Sequence, residues 1–326
     1  DDSRDALALG DYQGADCIRA RDGLVYASAY NGATLKKRKS DLVRTDGGHT
    51  AAILSVDGEL TGFALDGSGE LCRAVDTTAG RTLCRAASDS WGTAVEQVVT
   101  QIDGAPLGAV SAVETGPDGV VYFAVASGAA TENGLEQTLR TELMAHTGTG
   151  CVYAYDLAAR AVRKVLGGIA GASGLALSPD GKTLYVSDLG SRCVWAVPAD
   201  ARELTAGGKN CTAFLTGLPG YPGALAADEE GTLYISYRWA RSSWLEKNAG
   251  STLLRGIALR AGQNLQEKLF SLPTESPCAE AVTLQDGSWT RAFFARKAGS
   301  VTAVCPVESK VYFGTADVQR LPSANV

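Results

Sequence analysis

The side chains of this 326-residue chain that could do chemistry are few: two histidines, eight cysteines, and some aromatic and acidic positions. The cysteines stand at 17, 72, 84, 151, 193, 211, 278 and 305, with no CxxC pair and no histidine pair nearby, so a zinc centre is not expected. An even number of scattered cysteines suits disulfides in an oxidising compartment. Cys72 and Cys84 flank a hairpin almost symmetrically around Thr78, and opposed strand positions bring Cβ atoms to about 4.5–5.5 Å, which predicts a cross-strand disulfide. His146 precedes Gly148 in an insertion and reads as a solvated loop histidine, with a general-base role as the alternative. Serine-hydrolase chemistry has no support: there is no Gly-x-Ser-x-Gly elbow, and Ser178 in Leu177-Ser-Pro-Asp180 is a turn serine. Trp239 and Trp244 lie among arginines in Tyr237-Arg-Trp-Ala-Arg-Ser-Ser-Trp244, which fits a pocket wall and fits packing against a face equally.

These residues must be positioned by a repeat. A short apolar strand, a tight polar turn and a second strand recur at Gly23–Tyr26, Gly69–Cys72, Gly119–Tyr122, Lys182–Tyr185, Gly231–Tyr234 and Arg291–Phe294. Their second strands are expected near Asn31, Gly80, Gly150–Tyr153, Ser191–Val194, Ser251–Leu254 and Gly299–Thr302. Asp-Gly turns at 22, 66, 118, 180 and 286 supply the positive φ that tight hairpins need, and small apolar runs such as Gly174–Leu177 precede them. Six such units of about 45 to 55 residues predict an all-β, six-bladed β-propeller with four-stranded blades, one domain over 1–326 with short terminal tails. A two-sheet sandwich gives no reason for tyrosine to recur after the turn. One helical insertion is expected near 132–144.

Composition narrows the function. A net charge of −6 and no basic cluster beyond Lys36–Lys39, a solvated hairpin face, argue against nucleic acid. No stretch of about 18 apolar residues exists to span a bilayer. The start at Asp1-Asp2-Ser3 is consistent with a removed signal, and Asn210-Cys211-Thr212 is a glycosylation sequon, so a secreted or secretory-lumen glycoprotein is expected.

Leu215-Thr-Gly-Leu-Pro-Gly-Tyr-Pro222, the run from Gly174 to Asp188, and Thr147–Asp156 together resemble the strictosidine-synthase-like family, and more distantly the gluconolactonase/regucalcin and paraoxonase propellers. The resemblance spans about Tyr12 to Val307. Relatives with a metal hold it at the mouth of the central channel with a first-unit acid and Asn or Asp side chains. The matching positions here are Asp16, Ser173 and Gly223, followed by Ala224, so the resemblance implies no metal and no cofactor.

Glu280 has the spacing from the Asp286-Gly287 turn of the catalytic glutamate of strictosidine synthase, which makes it the candidate acid/base. The pocket around that glutamate does not carry over: its aromatics become Ala109 and Ser111, a histidine becomes Cys278, and Asp188 is followed by Leu189. Tryptamine condensation is therefore not expected. The resemblance implies a small organic substrate in the central channel, near Asp16, Ala109, Ser111, Ser173, Asp188, Tyr221, Gly223 and Trp239. A non-catalytic propeller that binds a ligand or a protein partner, and a metal-dependent lactonase or arylesterase, are the other readings.

Overall fold

Strands of three to nine residues with apolar side chains on both faces cannot stand alone in water, and here they pack as six sheets around one axis. The computed structural model describes residues 5–31, 39–129, 134–270, 276–294, 300–315 and 319–326. Blade 1 runs Ile18–Arg21, Leu24–Asn31, Asp41–Thr45, Thr50–Ser55 from the axis outward, and blade 2 runs Gly58–Leu65, Leu71–Thr77, Gly80–Ala86, Glu96–Val99. Blade 3 is Val110–Thr115, Val121–Val125, Gly150–Asp156, Ala161–Ile169, and blade 4 is Ala172–Leu177, Thr183–Asp188, Cys193–Pro198, Ala213–Leu215. Blade 5 is Gly220–Ala227, Thr232–Ala240, Ala279–Thr283, Trp289–Phe293.

Blade 6 closes the ring with both ends of the chain: Val301–Val307, Lys310–Thr315, Arg320–Asn325, and then Asp5–Ala8 as its outer strand. Asp5–Ala8 and Arg320–Asn325 are strands of this blade. Each inner strand touches the next, and the sixth touches the first.

The recurring tyrosine has a packing reason. Tyr26, Tyr122, Tyr185 and Tyr234 stand on second strands and point into the apolar layer shared with the following blade, where blade 2 uses Cys72. Six apolar clusters fill the six blade interfaces. The Asp22-Gly23 turn has both φ values positive, 52° and 73°, as the hairpin twist requires.

One sequence expectation about the insertions is met and two need correction. The helix near 132–144 is Leu135–Ala145 (α1), and 132–133 lie outside the described residues. Ser251–Leu254 is not a strand: Ser251 caps helix α3, Thr252–Arg260, which lies between α2, Ser243–Lys247, and α4, Gln263–Phe270, in one long insertion of blade 5. The third strand of blade 5 therefore comes only at Ala279–Thr283, Arg291 belongs to its outer strand, and the true second strand of blade 6 is Lys310–Thr315.

The predicted Cys72–Cys84 disulfide is absent, and both thiols are free. The hairpin turns on two residues, with Thr77 opposite Gly80, so Cys72 faces Arg85 and Cys84 faces Arg73. An offset of one residue puts the two thiols on opposite faces of the sheet. Cys72 sits in the apolar layer toward blade 3, where burial pushes its thiol up to about 12.

The inner strands of blades 2 to 6 are each interrupted by a bulge, at Thr61, Ser111, Ser173, Gly223–Ala224 and Thr302. A bulge re-aims one side chain. Three of these hydroxyls turn to the neighbouring blade: Ser111 donates to the Ala172 carbonyl at 2.6 Å, Ser173 to Pro222 at 2.7 Å, and Thr302 to Ala15 at 2.7 Å. Ser187 adds a fourth link, donating to Gly223 at 2.6 Å. The blades meet so closely that a Cβ on Gly174 would lie 2.2 Å from the Gly223 carbonyl oxygen.

Asp188 ends the second strand of blade 4, 1% exposed, accepting from the Ser191 N–H and the Trp195 Nε1–H, each at 3.1 Å. Burial pushes its carboxyl above the ordinary range.

Gly174→Ala is expected to lower stability by about 3 kcal/mol, read as a shift of the urea midpoint, because two backbones would have to separate. For Asp188 the sign follows from its raised proton affinity in the fold. Its contribution is complete below the ordinary carboxylate range and lost as pH rises through the folded value. The stability advantage of the wild type over Asp188→Asn should therefore be larger near about pH 4.5 than near about pH 7. Equal differences at both pH values would contradict the assignment.

Candidate functional site

The axis of the ring is tight. The space it leaves, about 20 Å³, is the size of one water molecule. Inner strands joined by hydroxyl links and a glycine contact keep it that narrow. Below, Arg19 crosses from blade 1 and donates from Nη2 to the Val113 carbonyl of blade 3 at 2.8 Å, with Glu114 at 3.8 Å. It forms the floor.

Asp16 is the carboxylate that lines the channel among the described residues. It immediately precedes the inner strand of blade 1, where its backbone N–H bonds to the Ser28 carbonyl. Its Oδ2 accepts from the Tyr30 hydroxyl at 2.8 Å, and Oδ1 accepts no hydrogen bond among the described residues.

The roof is α1. A Cβ on Gly134, its N-cap, would lie 3.3 Å from Glu59 Oε1 of blade 2, and Glu136 two residues on accepts from Arg238 Nε of blade 5 at 3.1 Å. Blades 2 and 5 face each other across a six-bladed ring, so the first turn of α1 lies over the axis. Leu135, Leu139, Leu143 and Met144 fasten the helix to Ala109, Leu189, Tyr221 and Trp239. Arg140 shares Glu136 at 3.3 Å, and the Trp239 ring lies 5.7 Å from the Arg140 guanidinium carbon and 5.6 Å from that of Arg238. Burial pushes the Glu136 carboxyl up, but Arg238 and then Arg140 pull it below its ordinary value.

The remaining sequence candidates take structural posts. Ser111 and Ser173 spend their hydroxyls on the next blade, position 223 offers only its carbonyl, and Asp188 caps a turn. Ala109 is packed beneath α1. Tyr221 fixes α2, its hydroxyl donating to Glu246 at 3.2 Å and accepting from the Ser242 N–H at 3.3 Å. Glu280 lies on the third strand of blade 5, opposite Ile235 and Ala292, and its carboxylate takes the Tyr237 hydroxyl. That is two strands out from the axis, and Glu280 does not line the channel. His146 is the exposed αL cap of α1.

Sequence reasoning missed Glu136, Arg140 and Arg238. The first two are legible as an i, i+4 pair in a helical insertion, whereas their meeting with Arg238, 102 residues from Glu136, is a tertiary fact.

The donor set does not fit a divalent cation. Among the described residues no group of three or more His, Cys, Asp or Glu side chains converges, and at the positions matched to metal ligands only Asp16 brings a carboxylate.

No curated protein sequence matches the chain. Solved structures do match: a gluconolactonase from Xanthomonas campestris (TM-score 0.65, 16% identity, 99% of this chain and 90% of that one) and a luciferin-regenerating enzyme (0.62, 18%, 96% and 88%). A calcium-binding protein, regucalcin, from Agrobacterium tumefaciens matches at 0.56 with 15% identity, over 95% and 85%. At these identities they speak for the propeller fold. Residues 78–244 match the SMP-30/Gluconolactonase/LRE-like region, half of the chain, from blade 2 through the second strand of blade 5 and into its insertion. The chain belongs to the SMP-30/gluconolactonase/LRE-like family.

Proposed function

We propose that this propeller binds and hydrolyses a small neutral lactone at the mouth of its axial channel, with Asp16 as general base. The observation that carries the reading is Asp16 itself: a carboxylate lining the channel, steadied on one oxygen by Tyr30 and, among the described residues, unengaged on the other. Membership of the family supports lactone chemistry over the amine–aldehyde condensation, whose candidate Glu280 is engaged by Tyr237 away from the axis.

In this reading Asp16 Oδ1 accepts a proton from a water as its oxygen attacks the lactone carbonyl. Collapse breaks the ring C–O bond, and the proton passes from Asp16 to the departing alkoxide, giving the open hydroxy acid. From floor to roof, Asp16, Glu114 and Glu136 stand against Arg19, Arg140 and Arg238, a balance that suits a neutral substrate. No step uses a metal, because the donor set does not fit one.

Wild type and Asp16→Asn are to be assayed against gluconolactone, δ-valerolactone and an aryl ester, with and without chelator. The expected result is lactone opening indifferent to chelator and reduced about a hundredfold or more in kcat by the substitution. Loss of activity with chelator and its return with calcium or zinc would overturn the metal-free mechanism. Binding of a lactone without turnover would leave a ligand-binding propeller.

A further inference from the structure

We propose that Glu136 is a second ligand-contacting carboxylate of this site, accepting hydrogen bonds from hydroxyl groups of a polyhydroxylated lactone, and that Arg238 is the residue that positions it. The inference rests on the reading of the mouth as the ligand site and extends it to the roof.

The geometry distinguishes this ion pair from an ordinary one. In a surface pair both partners are solvated, and in a buried structural pair both are covered. Here the cations are covered and the acid is partly exposed. The Arg238 and Arg140 side chains are 9% and 11% exposed, whereas Glu136 is 39% exposed. Glu136 stands in the first turn of a helix laid over the axis.

The arginines are the support. Their guanidiniums lie against the Trp239 ring, which restricts both to one arrangement. Glu136 Oε2 takes Arg238 and Oε1 takes Arg140, which leaves further lone-pair directions on each oxygen for hydroxyl donors. The first helical turn adds its own positive end, since the N-cap Gly134 provides no side-chain cap. A Cβ on Gly223 would lie 3.4 Å from the Arg238 Cβ, so the two positions are neighbours.

The test compares wild type, Glu136→Gln, Arg238→Gln and Arg238→Lys on gluconolactone, which carries ring hydroxyls, and on δ-valerolactone, which has none. Glu136→Gln is expected to raise KM for gluconolactone roughly tenfold while changing that for δ-valerolactone less than about threefold. Arg238→Gln is expected to do the same and to move the acid limb of the gluconolactone pH profile to higher pH, with Arg238→Lys restoring part of both. Carbon-13 titration of the Glu136 carboxyl supplies a readout independent of activity, and should rise in Arg238→Gln.

Equal losses on both lactones, or an unmoved Glu136 titration in Arg238→Gln, would mean that the pair only ties α1 to blade 5. If the wild type hydrolyses neither lactone, the hydrolytic reading falls, and calorimetry of gluconolactone decides the present one. Weaker binding by Glu136→Gln supports it. Unchanged binding, or none by the wild type, overturns it.

Discussion

A propeller blade is apolar on both faces, and every feature of this protein follows from the need to cover them. Each blade is covered by the next, so the requirement ends only when the last blade meets the first. The chain meets it by ending in Arg320–Asn325 and laying Asp5–Ala8 beside it, so that blade 6 holds residues from both ends. Burial at six interfaces is cooperative in consequence: a loss at one of them loosens a ring rather than a stack.

Closing the ring brings six inner strands together where there is little room. Small side chains and bulges let the backbones approach, and the bulges turn hydroxyls sideways onto carbonyls of the neighbouring blade. A serine or threonine at the axis therefore serves the ring before it serves a ligand. Once those hydroxyls and the glycine at 223 are counted out, the chemistry left at the mouth is carboxylate and guanidinium. Asp16 comes from the ring itself, and Glu136, with Arg140, from a helix laid on top of it.

The two insertions do different work. The one in blade 3 makes the roof, its apolar side fastened over Ala109, Leu189 and Tyr221. The one in blade 5 leaves by way of Arg238 and Trp239 and is anchored by the Arg192–Glu246 pair and by Tyr221. The blade with the longest detour thus supplies the cation that holds the roof over the axis.

Much of the fold was legible in the chain. Period-2 strands, Asp-Gly turns and the recurring tyrosine carried six blades, because strand alternation and turn geometry are local. The count faltered in blade 5, where the insertion moved the third strand some forty residues beyond the second and its helices were read as a strand. Cys72 and Cys84 went astray for a reason of the same scale: sequence spacing gives the hairpin, but a one-residue offset in register decides the face.

The site was legible only in part. Asp16 could be found only through the resemblance, which matched it to a first-unit acid of the relatives. Ser111 and Ser173 could be placed at the axis, but their hydroxyl directions depend on bulges and on the neighbouring blade. Glu280 matched by spacing, yet its strand is the third in its blade. The meeting of Glu136, Arg140 and Arg238 joins an insertion to a blade two places on around the ring. Local chemistry therefore determined which residues were strands, turns and helix. Only closure of the ring decided which of them met at the axis, because that depends on contacts between residues far apart in the chain.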